Sequence, residues 1–474
     1  MPNSKLKQFG LVLTGVIVGI MLSLNFSASA DKLGAQQPLP VEELRAFADV
    51  FNVVKRDYVE PVEDKKLFTQ AITGMLSGLD PHSAYLDANA LKELQVSTKG
   101  EFGGLGIEVS MEDGFVKVVS PIEDTPAFRA GIKAGDLIIK IDDVLVKGMN
   151  LDEAVKRMRG KPATKISLTL ARKGESQPIV VDLTREIIKA QSVKSKIVEP
   201  GYNYLRITQF QENTVQSMAE HLAKLAKEGK PKGLVFDLRN DPGGLLNGAV
   251  GVASAFLPEG AMVVTTNGRT EGAHREYRAM LGEYLQGSAL RALPSWTRDV
   301  PIVVLVNGGS ASASEIVAGA FQDHKRAKIM GTRTFGKGSV QTILPLANAA
   351  ALKLTTARYY TPSGRSIQAK GIDPDIFVEE SVQGGSAKRL READLQGHLG
   401  NDRDPEETDD KKPNEDKTDK PAEAAKTELP KPFEYGSPDD YQLAQALNQL
   451  KGLPVEKASP PEETPSQGDG ESKP

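Results

Sequence analysis

Ile302-Val303-Val304-Leu305-Val306 is an unbroken apolar run that stops at Asn307-Gly308-Gly309. Beyond the glycines, Ile316, Val317, Ala320 and Phe321 recur at helical spacing. A strand that turns on glycine straight into a helix is a building block of α/β folds. A second unit of the same form runs from Leu234-Val235-Phe236-Asp237-Leu238 through Pro242-Gly243-Gly244. With further strand candidates at Tyr204–Ile207 and Met262–Thr265, and helical runs at Val215–Lys227 and Leu245–Phe256, residues 192–380 read as an α/β domain with a largely parallel sheet.

The chain has 474 residues, room for about three domains, so this unit has company. Residues 41–97 carry helical periodicity and contain the turn Leu79-Asp80-Pro81-His82-Ser83. Residues 98–183 have another texture. Gly103-Gly104-Leu105-Gly106-Ile107 opens a hairpin of Ile107–Ser110 and Phe115–Val119, turned at Glu112-Asp113-Gly114. A strand over Asp136–Ile141 follows. Asn150 and Glu153 form a capping box for a helix to about Met158, and Lys165–Leu170 is the final strand expected of a small β-rich module.

The ends differ from the middle. Lys5 and Lys7 precede an apolar stretch from Gly10 to Leu24 and then Ala28-Ser29-Ala30, the three-part pattern of a secretory signal. An uncleaved inner-membrane anchor is the other reading, and either one exports the remainder, so the expected location is the periplasm. Asp402 to Glu428 is nearly all charged residues, Pro, Thr and Ala, too poor in apolar surface to fold. One amphipathic island, Tyr441 to Leu450, capped by Ser437-Pro438-Asp439, is expected to dock on a partner subunit or back on its own chain. The expected divisions are 1–30 signal peptide, 31–97 helical region, 98–183 β-rich module, 184–380 α/β core, 381–436 disordered linker, 437–452 helix and 453–474 disordered tail.

Composition excludes several chemistries. No Cys means no disulfide, thiolate-bound zinc, iron–sulfur cluster or cysteine nucleophile. A net charge of -4 gives no sign of a nucleic-acid partner. What remains is the serine cluster after the first glycine turn. A serine at a helix N-terminus lies among free N–H groups able to stabilise an oxyanion. Ser310, Ser312 and Ser314 all fit, and all fit equally as caps or small packing residues. The arrangement is like a nucleophile elbow without its G-x-S-x-G pattern. Of the five His, His324 lies one helix along, about 18 Å from Ser312 at the helical rise, too far to be its base. Lys337, between Gly336 and Gly338, is the other candidate base, provided burial makes it neutral, against the simpler reading of a solvated turn lysine. The Gly243-Gly244 turn lies where α/β sheets collect ligands and could supply a second oxyanion donor.

Together these residues resemble the carboxyl-terminal processing (tail-specific) serine proteases of the bacterial periplasm, over about residues 40–380. The resemblance is carried by Leu79–Ser83, Phe102–Val109, Asp237-Leu238-Arg239 with Pro242-Gly243-Gly244, and Ser310–Ile316 paired with Phe335–Gln341. It implies a multidomain α/β protein: an N-terminal helical region, an inserted β-rich PDZ domain, a crotonase/ClpP-like protease core, and a disordered linker ending in a helix. It implies Ser312 as nucleophile, Lys337 as general base, Gln341 as its support, and the backbone N–H groups of Gly243 and Ala313 as oxyanion hole. Gly244 is an alternative to Gly243. It implies a PDZ carboxylate loop at Gly104, Leu105, Gly106 and Ile107 that takes proteins or peptides with apolar C-termini, and a regulatory role for Arg172. No metal or organic cofactor is implied. A homo-oligomer and a lipoprotein adaptor are implied partners. Two other readings compete: a PDZ scaffold with a latent or adaptor-dependent protease domain, and a crotonase-like acyl-transfer enzyme.

Overall fold

A computed structural model describes residues 39–122, 124–280, 290–291, 293–380, 389–403 and 434–456. The expected signal peptide, most of the charged linker and residues 457–474 lie outside them. Among the described residues no helix is long and apolar enough to cross a membrane. The chain divides into two compact units, through Ala71 and from Ile72.

In the first unit, the helix Val41–Asp57 stacks Phe51 on Phe68, with ring centroids 4.9 Å apart. Leu44, Phe47, Val50 and Val53 on that helix remain exposed.

In the second unit, the α/β core is built on a six-stranded sheet. Its order is Val193–Glu199, Tyr202–Ile207, Gly233–Asp237, Ile302–Val306, Lys328–Gly331 and Ile376–Phe377. The first pair is antiparallel and every later pairing is parallel. The expected strand at Met262–Thr265 exists but belongs elsewhere. As Met262–Asn267 it joins a second, antiparallel sheet with Ala84–Leu86, Arg275–Arg278, Ser339–Pro345 and Ala351–Tyr360. Sequence reading missed Lys328–Gly331 and Ile376–Phe377 because four and two residues are too short for a periodic signal.

Side chains alternate across the central sheet, so each strand feeds two cores. Phe236, Val304 and Val306 face the helices Leu246–Phe256 and Ala313–Asp323. There Phe236, Phe256 and Phe321 pack their rings within 5.8 to 6.2 Å of one another. Val235, Val303 and Leu305 face the other way, onto Leu443, Ala446 and Leu447 of the helix Tyr441–Lys451. Of the two dockings expected for this helix, the structure shows it back on its own chain. Its N-cap is Asp440, whose side chain accepts from the Leu443 N–H, and not the Ser437-Pro438-Asp439 stretch read as the cap. Burying Leu443 and Leu447 contributes about 1.5–3 kcal/mol each.

The β-rich module has its own core, including Val116, Val118, Ile138, Leu168 and Leu170. Its sheet runs Ile107–Glu112, Phe115–Pro121, Leu137–Ile141, Lys165–Ala171 and Ile179–Thr184. Lys165–Ala171 is therefore not its last strand, as the sequence had suggested. Asn150 and Glu153 close the expected capping box on Leu151–Met158. The two ends of the insertion pair as a ribbon, Glu101–Gly104 against Glu186–Lys189.

Candidate active site

The helix Ala313–Asp323 begins just after Ser312, which has φ 55° and ψ −111°. Positive φ at a serine costs on the order of 1 kcal/mol and must be held by its surroundings. Glu315, three residues on, supplies that hold: its carboxylate accepts the Ser312 N–H at 2.8 Å. The same carboxylate accepts the N–H of Gly336 at 2.7 Å, the N–H of Lys337 at 3.0 Å and the Thr334 hydroxyl at 2.6 Å. One fully buried acid thus ties the Ser312 turn to the Lys337 turn, although twenty-five residues separate them. Burial pushes its pKa up to about 7, against the pull of these four donors.

The structure also separates the three serines. Ser310 donates to the Leu238 carbonyl at 2.8 Å, and Ser314 donates to the Asp241 carbonyl at 3.0 Å; both are fully buried. Ser312 is partly exposed. Tyr359, buried beneath it, lies beside the Ser312 hydroxyl and donates its own hydroxyl to the Lys337 carbonyl.

Lys337 is largely buried. Burial lowers its pKa to about 8, helped by the charge of Lys353 and opposed by Glu392, Glu315 and Asp80. About one molecule in ten then carries a neutral amine at pH 7. The Lys337 turn needs glycine: a Cβ on Gly338 would stand 2.6 Å from the Gln368 nitrogen. The Lys337 amine and the Ser312 hydroxyl are not hydrogen-bonded to each other here. Gln341 donates to Ser339 Oγ at 3.0 Å and Thr355 Oγ1 at 3.3 Å, so it supports the wall of the site and does not touch the lysine amine.

The Leu79–Ser83 turn closes that wall. Asp80 accepts from the N–H groups of His82 and Ser83 and from the hydroxyls of Ser83 and Thr355. Burial raises its pKa, but these donors more than offset that and hold it below the usual range. His82 Nε2 lies 2.8 Å from Glu392, whose charge favours protonated Lys337.

One expected oxyanion donor is engaged elsewhere in this structure. The Gly243 N–H is spent on Asp241 Oδ1 at 2.8 Å. Asp241 is buried, which pushes its pKa well up, and its Oδ2 has no partner among the described residues. Gly243 still lies against the serine turn, since a Cβ there would stand 2.8 Å from the Ala313 nitrogen. The N–H groups of Ala313 and Gly244 have no acceptor among the described residues. Gly244 is held at φ 142°, where a Cβ would stand 2.1 Å from the Phe210 carbonyl oxygen.

In the β-rich module, the carbonyls of Leu105 and Gly106 accept from Ala127 and Ile122, while the N–H groups of Leu105 and Gly106 have no acceptor among the described residues. Ile107–Glu112 is an edge strand, and Ile107, Leu151 and Val155 are partly buried hydrophobics beside it. Gly104 itself lies in the Glu101–Gly104 ribbon strand. Arg172, directly after Lys165–Ala171, pairs with Asp136 at 2.7 Å and donates to the Gly131 carbonyl, both within its own module.

Among the residues missed by sequence reading, Glu315 had a signal, because Ser312-Ala313-Ser314-Glu315 is a capping-box pattern. Asp440 was legible only as a helix cap, and Tyr359, Asp241 and Glu392 had no signal.

Two features stand out: a serine turn tied through one buried carboxylate to a lysine turn, and a β-rich module with free amides ahead of an edge strand. Residues 201–378 match the family profile for peptidase family S41, residues 103–183 a PDZ domain, and residues 21–90 the activating protease CtpB N-terminal domain. A carboxy-terminal-processing protease of Bartonella bacilliformis is 47% identical over 81% of this chain and 87% of its own length. The carboxy-terminal processing protease CtpA of Bacillus subtilis is 34% identical over 79% of this chain and 78% of its own. The solved photosystem II D1 C-terminal processing protease is 32% identical, covering 70% of this chain and 86% of that one at a TM-score of 0.40. The chain belongs to the carboxy-terminal processing proteases, serine peptidases of family S41.

Proposed function

We propose that this chain cleaves exported proteins, selected by their C-termini, with a Ser312–Lys337 dyad. The observation that carries the reading is the single Glu315 carboxylate binding the backbones of both residues. Neutral Lys337 takes the Ser312 proton as Oγ attacks the scissile carbonyl. The developing oxyanion is met by the N–H of Ala313 and, in place of Gly243, that of Gly244. Collapse breaks the C–N bond, and the Lys337 ammonium returns its proton to the leaving amine. Water, deprotonated by Lys337, then hydrolyses the ester and frees Ser312. The free amides of Leu105 and Gly106 are the receptor for a substrate carboxylate, and the half-buried Ile107, Leu151 and Val155 favour apolar terminal side chains.

The Lys5–Ala30 pattern supports export, and the proposed location is the periplasm. The exposed apolar stripe of Val41–Asp57 supports a homo-oligomer. A lipoprotein adaptor is part of the proposal on family resemblance. A second reading, a latent protease opened by ligand or adaptor, draws on the missing Ser312–Lys337 hydrogen bond and on Arg172 being held within its own module.

The test is degradation of an unfolded protein with an apolar C-terminus by the chain from Asp31. Ser312→Ala and Lys337→Ala each lower kcat at least ~10³-fold, and Lys328→Ala on the exposed surface changes nothing. Cleavage that survives both substitutions rejects the dyad.

A further inference from the structure

The matched S41 profile ends at residue 378, yet residues 434–456 return to the loop that borders Ser312. Arg239 is the largest fully buried side chain among the described residues. It meets Asp237 on one side, at 2.7 and 3.0 Å, and Asp440 on the other, at 2.6 and 2.8 Å. Gln442 adds an acceptor at 3.0 Å and donates to the Val378 carbonyl. The Tyr435 ring lies under both Arg206 and Arg239, 4.2 and 4.7 Å from their guanidinium carbons, and its hydroxyl accepts from Asn240. Asp237 and Asp440 together balance Arg206 and Arg239. Without the C-terminal segment, one buried positive charge has no counterpart.

From Arg239 the contacts run straight to the nucleophile turn. Leu238 accepts from Ser310, and the Asp241 carbonyl accepts from Ala311 and Ser314. Asn240 donates its N–H to Asn307. Two residues past Asp241 comes Gly243, packed against Ser312.

We infer that residues 434–456 are a positioning segment of the active site, in which Asp440 holds the 238–244 loop through Arg239 and so sets turnover and not substrate affinity. The inference rests on the Ser312 reading and deepens it. Asp440 touches no reacting atom. It acts through a fully buried guanidinium, with both of its oxygens engaged, because they also accept from Gly436 and Leu443. The segment's apolar face covers Val235, Val303 and Leu305, so the ion pair is shielded from water.

The test uses the full mature chain. Asp440→Ala is expected to lower kcat at least tenfold with KM within twofold, and to speed amide exchange over 238–245 while leaving 107–112 unchanged. Asp440→Glu, which keeps a carboxylate for Arg239, is expected to recover part of the kcat, and the neutral Asp440→Asn to recover less. A second preparation guards against a variant that does not fold. A protease recognition sequence is inserted within 404–433 and cut after the chain has folded, and the C-terminal piece is stripped in salt. Turnover then falls and returns, saturably, when a synthetic 434–456 peptide is added. Unchanged kcat and unchanged exchange in the stripped chain overturn the inference, as does a KM effect without a kcat effect. An active parent indifferent to Ser312→Ala rejects the dyad instead, and the exchange measurement still decides whether the segment holds the loop.

Discussion

Two neighbouring parallel strands, Gly233–Asp237 and Ile302–Val306, end at the same edge of the sheet and turn on glycines into helices, yet their loops are held in opposite ways. The serine loop is held from close by: Glu315 lies three residues from Ser312, and its other donors lie within the next 22 residues. The arginine loop is held from afar: Asp440 is 201 residues from Arg239. A short-range clamp forms with the helix that carries it, whereas a long-range clamp needs the whole domain closed first. The first sets the backbone angles of Ser312, and the second, on the inference above, holds the loop packed against it.

The largest break in this comparison is Glu315→Ala. Removing four accepted hydrogen bonds frees both the Ser312 and Lys337 turns, and kcat/KM is expected to fall about 10²–10³-fold, as for loss of oxyanion-hole geometry. Steady-state kinetics on a folded sample checks it. Next comes Gly244→Ala, which forces a Cβ to within 2.1 Å of the Phe210 carbonyl and displaces the arginine loop alone. Its expected signature is a kcat loss of at least ~10-fold with the Ser312 turn intact, since Gly244 is the proposed oxyanion donor and misdirecting one costs that much or more.

Two pH experiments sharpen the same contrast. Activity is expected to rise with pH through about 8 as Lys337 loses its proton, and a flat profile there would remove it as the base. Glu315 acts on stability with the opposite sign. Its folded pKa of about 7 exceeds its ordinary value of 4.5, so its stabilising contribution is full below 4.5 and is lost as pH rises through 7. The slope reaches at most about 1.4 kcal/mol per pH unit. It should vanish in Glu315→Gln, as read by denaturant unfolding between pH 5 and 7.5. The smallest effects belong to the links between the loops. Ser314→Ala removes one buried hydrogen bond and is expected to cost about 1 kcal/mol of stability; Ser310→Ala removes two, the second accepted from the Asn307 N–H, and is expected to cost about twice that.

Much of this was legible in residue order. The strand–glycine–helix units predicted the α/β core, and the Asn150/Glu153 box predicted a helix where one stands. Met262–Asn267 was visible as a strand, but its sheet was not, because an apolar run does not name its partner. Gly243 was visible as a turn residue. Its N–H direction was not, because the competing acceptor, Asp241 Oδ1, exists only once the turn has closed.

What the sequence by itself determined is the set of local elements and the family, because glycine turns, caps and hydrophobic periods act within a few residues. Family resemblance pointed to Ser312, but that the Ser310 and Ser314 hydroxyls are spent on the neighbouring loop is visible only in the closed fold. Lowering the pKa of Lys337 required burial, and giving Arg239 its second carboxylate required a helix from beyond residue 433. Burial and long-range pairing are properties of the closed domain, and only the tertiary structure decides them.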